Sequence, residues 1–129
     1  MSAATDFLED KILNHVFRNV AYTAPATVYV GLFTTATTDA GGGTEVTGGG
    51  YARQAATFGA PSPSGTIKNS SDVTFPVATG SWGTLTHFAV FDAVSGGNMM
   101  THNPLTTSKT IATDDQAKFS TNELVITLD

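Results

Sequence analysis

The chain has 129 residues, no cysteine and a formal net charge of −5 at pH 7. This length suits a single domain over residues 1–129, and the lack of cysteine excludes disulfides, cysteine-ligated zinc and thiol catalysis. The acidic balance argues against a nucleic-acid-binding protein, no apolar run is long enough for membrane insertion, and the acidic N-terminus lacks the pattern of a secretory signal.

The first segment, residues 1–21, is predicted to form an N-terminal helix. Thr5 or Asp6 can act as its N-cap, and Asp6 and Glu9 suit the positive end of a helix. The segment ends at "YTAP", because a residue before proline disfavours the α region. Its apolar stripe needs a partner surface, which is either the domain's own sheet or a neighbouring subunit. Helical spacing defines the stripe as Phe7, Leu8, Ile12, Leu13, Val16 and Phe17.

After the helix the hydrophobic period changes to two, which indicates strands. The segment "TVYVGLF" predicts a central strand, because both of its sides are apolar. Val28, Val30 and Leu32 lie on one side, and Tyr29 and Phe33 lie on the other. The stretch "TTATTDAGGGTEVTGGG" is polar and glycine-rich. It predicts a flexible loop over residues 36–50, which a neighbouring subunit could order.

The rest of the chain reads as further short strands: "YARQAATF", "DVTFPVAT", "GTLTHFAVFDA", "MMTH", "KTIAT", "AKFS" and "ELVITLD". The turn "VSGGN" predicts a hairpin between the third and fourth of these. The third alternates, with Leu85, His87, Ala89 and Phe91 on one face and Thr86, Phe88 and Val90 on the other. Seven to nine short strands after one helix indicate a mainly β fold, an antiparallel β-sandwich of jelly-roll or Ig-like type with one N-terminal α-helix.

The glycine runs raise the question of a phosphate-binding loop. Gly48 to Gly50 lead into a strand and no lysine follows, so the requirements of a phosphate cradle are not met. Arg53 comes next, and we expect it to form an ion pair with Asp92 or Glu45, at the surface or between subunits. Trp82 lies in a turn, where it could stack on a sugar. We favour the interpretation that it packs in the core or anchors an interface.

The titratable residues do not form a recognisable reaction centre. His15, His87 and His102 share no metal-ligand spacing, and no nucleophile-elbow motif is present. His87 lies inside the strongest strand and is predicted to be a structural or interface residue. Asp114 and Asp115 lack the surroundings of an EF-hand loop. The sequence therefore predicts no catalytic, cofactor-binding or metal-binding residues.

Several motifs carry a resemblance to a known family: the helix followed by "YTAP", then "GGGYARQ", "WGTLTHFAVFDA" and "LTTSKTIATDDQAKF". Together they resemble small virion structural proteins of tailed bacteriophages, which are commonly labelled phage tail-fibre proteins. The likeness extends from Phe7 to Asp129. It implies a protein made in the cytoplasm of the host bacterium and located in the virion, at the capsid surface or the tail. It implies no catalytic residue.

The place in the virion is predicted from the character of the chain. A complete fibre needs a repetitive shaft, and neither heptads nor β-helix repeats are present. A compact threonine-rich domain favours a non-enzymatic capsid decoration or cement protein. The alternative is a tail-fibre or baseplate component that contributes to host attachment. Expected partners are copies of the chain, as a trimer or dimer, and the major capsid protein or tail proteins. The predicted assembly interface comprises Phe7, Leu8, Ile12, Leu13, Val16, Phe17, Arg53 and Trp82.

Overall fold

The structure, a computed structural model, describes residues 3–128. The predicted mainly β fold with antiparallel sheets and one N-terminal helix is confirmed. The elements are β1 (Ala3–Ala4), α1 (Asp6–Phe17), β2 (Val28–Phe33), β3 (Gln54–Ala56), β4 (Thr66–Lys68), β5 (Val73–Val77), β6 (Gly83–Phe91), β7 (Met99–Ile111), β8 (Gln116–Phe119) and β9 (Val125–Thr127).

The helix is shorter than the predicted 1–21. Thr5 is its N-cap, as one of the two expected residues, and residues 3–4 before it form β1. Asn19 adopts a left-handed φ of 56°, a conformation that cannot continue an α-helix. The N–H of Val20 returns to the carbonyl of Asn14 at 3.0 Å. The helix therefore ends well before the proline, and residues 1 and 2 of the predicted segment lie outside the described residues.

The strands form two packed layers. One is an antiparallel five-stranded sheet in the order β1-β7-β6-β2-β3, and the pairs β4-β9 and β5-β8 form the other layer. β2 is a central strand, as predicted. Its residues Val30 and Leu32 belong to the main core with Val73 and Phe75 of β5, whereas Phe33 belongs to a smaller cluster with Phe91 on the opposite face of the sheet.

The strict alternation predicted for the strongest strand is wrong at one residue. The pairing of β6 with β7 shifts register between Leu85 and His87. A β-bulge at this point turns Leu85 to the face of Phe88 and Val90, with which it shares the main core. The predicted hairpin between β6 and β7 is present, but "MMTH" and the first three residues of "KTIAT" belong to one strand, β7.

The glycine-rich segment 36–50 runs along β2 beyond the end of β3. Glu45 forms an isolated bridge with Phe33, and the N–H of Val46 donates to the carbonyl of Leu32 at 3.0 Å. Val46 is itself buried in the main core. The segment thus extends the sheet edge, while its flexibility stays a prediction.

Candidate assembly surface

The predicted interface residues of α1 divide into an inner and an outer group. Phe7 and Leu8 are half-buried and pack against the main core. The residues toward the end of the helix are exposed, and no residue of α1 is fully buried. Their exposed fractions are 54% for Leu13, 61% for Val16, 76% for Phe17 and, just beyond the helix, 45% for Val20. We call these four residues the helix patch.

The beginning of α1 is fixed to the sheet. The hydroxyl of Thr5, which is 1% exposed, lies 2.6 Å from the carbonyl oxygen of Met99 in β7. The N–H of Leu8 donates to the same hydroxyl oxygen at 3.4 Å, and the N–H of Asp6 donates to the carbonyl of Asp39 at 3.0 Å. These hydrogen bonds hold the first turn of α1 against the sheet, whereas the helix patch lies at the opposite end of the helix.

An apolar groove of about 390 Å³ lies between α1 and the small sheet β4-β9. Ile12 lines this groove, so it faces inward, whereas its neighbour Leu13 is exposed. The groove separates the helix from the strands below it and explains why α1 has no buried residue. Other lining residues are Leu8, Val28, Phe58, Ile67 and Met100.

Arg53 is engaged within the chain. Its guanidinium forms two 2.8 Å hydrogen bonds with the two carboxylate oxygens of Glu45 and lies 3.5 Å from the ring centroid of Phe91. Glu45 was one of the two predicted partners. The other, Asp92, instead accepts hydrogen bonds from Asn98. The Arg53 side chain is 9% exposed, so it packs within its own domain, and its predicted role between subunits stays a prediction.

The sequence interpretation missed Tyr51, which forms a hydrogen bond with the carboxylate of this ion pair. Its hydroxyl donates to Glu45 at 2.6 Å and accepts from the N–H of Leu32 at 2.9 Å. Burial of the ring and the hydrogen bond to Glu45 raise the pKa of Tyr51 far above its usual value. The tyrosine caps the amide that β2 leaves unpaired beyond β3, a role for which its sequence neighbourhood gives no signal.

Trp82 lies in the core, where it is 4% exposed. Its ring makes an edge contact with Tyr51 at 5.4 Å between centroids and another with Phe75 at 6.4 Å. The indole N–H donates to the carbonyl of Gly49 at 2.8 Å. Trp82 therefore packs in the core of its own chain, and its predicted part in an assembly interface stays a prediction.

His102 lies between two residues of the glycine-rich side of the molecule. Its Nδ1 is 2.7 Å from the hydroxyl of Thr37, and its Nε2 is 2.8 Å from a carboxylate oxygen of Asp39. The arrangement of Thr37, His102 and Asp39 resembles the hydroxyl, histidine and carboxylate of a catalytic triad, but Thr37 is buried in this structure.

Burial, followed by the charge of nearby His102, lowers the pKa of His87. Residues 3–128 contain no group of three side chains suited to a metal ion.

Two comparisons bear on the whole chain. A protein-family model described as "Podophage GP4 fiber I protein gp80" matches residues 3–127. Among curated proteins, none matches the chain significantly. Within the described residues, no helix is long and apolar enough to cross a membrane. The family match covers α1, both layers of strands and the glycine-rich segment.

Proposed function

The chain belongs to the podophage GP4 fiber I protein gp80 family, and from this premise we propose that it is a non-enzymatic structural component of the phage tail fibre. The sequence alone favoured capsid decoration and kept the fibre as its alternative. The family supports the alternative. A small β-domain without a repetitive shaft then acts as one unit of a fibre assembled from several chains.

The helix patch is the observation that supports an assembly role. Leu13, Val16 and Phe17 follow the spacing i, i+3, i+4, which places them along one face of α1, and the exposed Val20 follows just beyond the helix. Covering side chains of this type contributes about 1.5–3 kcal/mol each when the burial is complete. The patch therefore provides an adhesive surface for another copy of the chain, in a dimer or trimer, or for another fibre protein.

The location is tested by gold-labelled antibody imaging of purified phage particles that contain the protein. We expect the label on the tail. Label distributed over the head would contradict the fibre assignment and indicate a decoration protein. Capsid stability with and without the protein would then be the next measurement.

A substitution in the helix patch tests the surface itself. Leu13→Asp places a charge in the patch, and a charge is costly to bury without a partner. We expect the variant to fold, because Leu13 is 54% exposed, but to be lost from particles when its amount is measured by quantitative mass spectrometry.

The matched control for this test is His15→Asp. It introduces the same side chain at an exposed helical position outside the patch. Circular dichroism and thermal melting establish that both variants are folded. Incorporation of Leu13→Asp at the level of the control would remove the helix patch from the assembly surface.

A further inference from the structure

The two layers are closed along one side and open along the other. β3 approaches β5 on the closed side. On the opposite side β7 and β8 are not hydrogen-bonded to each other, and a cleft of about 570 Å³ lies between them. We call it the open cleft. Leu32, Leu85 and Phe88 of the main core contribute to its lining, so the cleft leads to the hydrophobic interior.

The β7 wall of the open cleft is a segment without a strand partner. His87 pairs with Pro104 and Leu85 pairs with Lys109, so the four residues 105–108 stand opposite Thr86 alone. Within residues 3–128, no pairing joins these four to any other strand. They have the sequence LTTS, and three of the four are exposed. Large bulges of this kind expose backbone N–H and C=O groups at a sheet edge.

The β8 wall has a free edge as well. In the described chain β8 pairs with β5 on one side alone. Ala117 and Phe119 are half-buried and line the cleft, while the alternate residues Gln116 and Lys118 are exposed. The β8 wall thus offers backbone groups along its edge and apolar side chains toward the interior, the pattern of a site that accepts an added strand.

The charges at the open cleft favour an acidic occupant. Lys109 lies on the β7 wall and Lys118 on the β8 wall, in a protein with six basic and eleven acidic residues. Among the described residues, Glu123 is the one carboxylate that lines the cleft. It accepts a 2.8 Å hydrogen bond from the N–H of Ser120, and this bond, together with the nearby lysines, lowers the pKa of Glu123. Its charge is partly satisfied by these contacts. The Nζ of Lys118 lies 3.3 Å from a carboxylate oxygen of Asp72, so Lys109 is the basic residue that favours an acidic occupant.

We propose that the open cleft receives an extended segment of another virion protein, which adds a β-strand against the edges of β7 and β8 and places an acidic side chain near Lys109. Alternate side chains of this strand would cover the half-buried Leu105, Ala117 and Phe119. The inference rests on the proposed function, because it requires that the chain be built into a larger assembly.

Several features favour a different polypeptide over a second copy of the chain. Its strands are already paired within the described residues. The irregular connection over residues 19–27 contains no acidic residue. The glycine-rich segment does carry acids, but Asp39 is bound to His102 and Glu45 to Arg53. These observations favour a different polypeptide as the donor.

Hydrogen exchange measured on the isolated protein and on purified virions tests this inference. We expect the amides of residues 105–108 to exchange rapidly in the isolated protein and at least about tenfold more slowly in the particle, as backbone pairing protects them. Equal exchange rates in the two samples would overturn the proposal. If the protein is found in the fibre but this segment is unprotected, the strand addition fails while the proposed function stands.

Paired substitutions separate backbone pairing from side-chain recognition, such as binding of a glycan. Thr106→Pro and Thr107→Pro each remove one backbone donor, whereas Thr106→Ala and Thr107→Ala keep it. We expect at least one proline variant to be depleted from particles about tenfold while both alanine variants are retained. Loss of both alanine variants, with folding intact, would contradict backbone pairing and support side-chain recognition.

The charge component is tested with Lys109→Glu against the control Lys68→Glu, which reverses an exposed lysine on β4, away from the cleft. We expect Lys109→Glu to lower incorporation about tenfold, because like charges would face each other, and Lys68→Glu to have no effect. Equal incorporation of the two variants would contradict an acidic occupant.

Discussion

At the scale of single residues, the ion pair of Glu45 and Arg53 depends on the absence of a side chain at Gly31. A Cβ atom built on Gly31 would lie 2.8 Å from Oε2 of Glu45 and 3.0 Å from the ring of Phe91. That oxygen already binds Tyr51 at 2.6 Å and Arg53 at 2.8 Å. The carboxylate therefore cannot move away without loss of its hydrogen bonds.

Gly31→Ala is accordingly expected to lower the free energy of unfolding by about 1–3 kcal/mol, the usual range for overpacking in a core. Urea denaturation measures this change. The matched control is Gly59→Ala, since a Cβ there would meet its nearest neighbour at 3.9 Å. Equal stability of the two variants would show that the site has room for a methyl group.

A second residue-scale prediction concerns pH. The carboxylate of Asp72 accepts hydrogen bonds from the N–H and hydroxyl of Thr121 at 2.8 and 3.0 Å, and Lys118 lies 3.3 Å away. The backbone bond from Thr121, then its hydroxyl and Lys118, lower the pKa of Asp72. A carboxyl whose pKa is lower in the folded state contributes stability above its unfolded pKa, and this contribution is lost as the pH falls through the folded pKa.

Asp72→Asn should therefore reduce stability at pH 7 and make the fall in stability between about pH 5 and pH 2 shallower than in the wild type. Urea midpoints across this pH range measure the slope. Asp10→Asn removes the same charge from an exposed helical position and serves as the control. A slope for Asp72→Asn that matches the wild type would contradict the role of this carboxylate.

Sequence reasoning succeeded for Arg53, whose possible partners were named from their charge. Arg53 was expected to pair with Asp92 or Glu45, and Glu45 is the partner. The result that Arg53 is enclosed by its own chain could not be predicted, because it depends on Phe91 and Tyr51 arriving from separate strands and loops. Opposite charge predicts a pair, but burial follows from tertiary packing.

At the scale of elements, Thr5 joins α1 to the sheet. Its hydroxyl serves as the helix N-cap and contacts the carbonyl oxygen of Met99 in β7. Thr5→Ala should lower the free energy of unfolding by about 2 kcal/mol, from the lost cap and the lost buried hydrogen bond. Urea denaturation together with amide exchange of α1 measures both effects.

The control for this prediction is Thr5→Ser, which keeps the hydroxyl and loses the methyl group. It should retain most of the stability and the slow exchange of the first helical turn. If Thr5→Ser were as unstable as Thr5→Ala, methyl packing and not the hydroxyl would connect the helix to β7.

Element boundaries show where periodicity stops being informative. The two-residue period correctly placed Val30 and Leu32 on one face of β2, because this strand is regular. It failed at Leu85, since the irregularity between Leu85 and His87 turns Leu85 to the face of Phe88 and Val90. The end of α1 was missed because the left-handed conformation of Asn19, and not the later proline, ends the helix. Such local conformations are weakly encoded in sequence patterns.

At the scale of the whole molecule, the acidic charge and the helix patch act in opposite directions. A net charge of −5 favours dispersal of the copies, while the four exposed apolar side chains favour association. We expect the isolated protein to form dimers or trimers in a concentration-dependent manner. Added salt should strengthen this association, because it screens the repulsion between copies and leaves the apolar contact in place.

Phe17→Asp tests this balance, because Phe17 is the most exposed member of the patch at 76%. Its substitution should raise the dissociation constant by at least about tenfold in sedimentation equilibrium, as expected when an aromatic anchor is removed from an interface. The control Val94→Asp changes an exposed apolar residue of the β6–β7 hairpin, which is 56% exposed and outside the patch. If both variants weakened association equally, added charge would account for the effect. If the wild-type protein stayed monomeric at every concentration, self-association through the helix patch would be contradicted, and the patch would be assigned to contact with a different fibre protein.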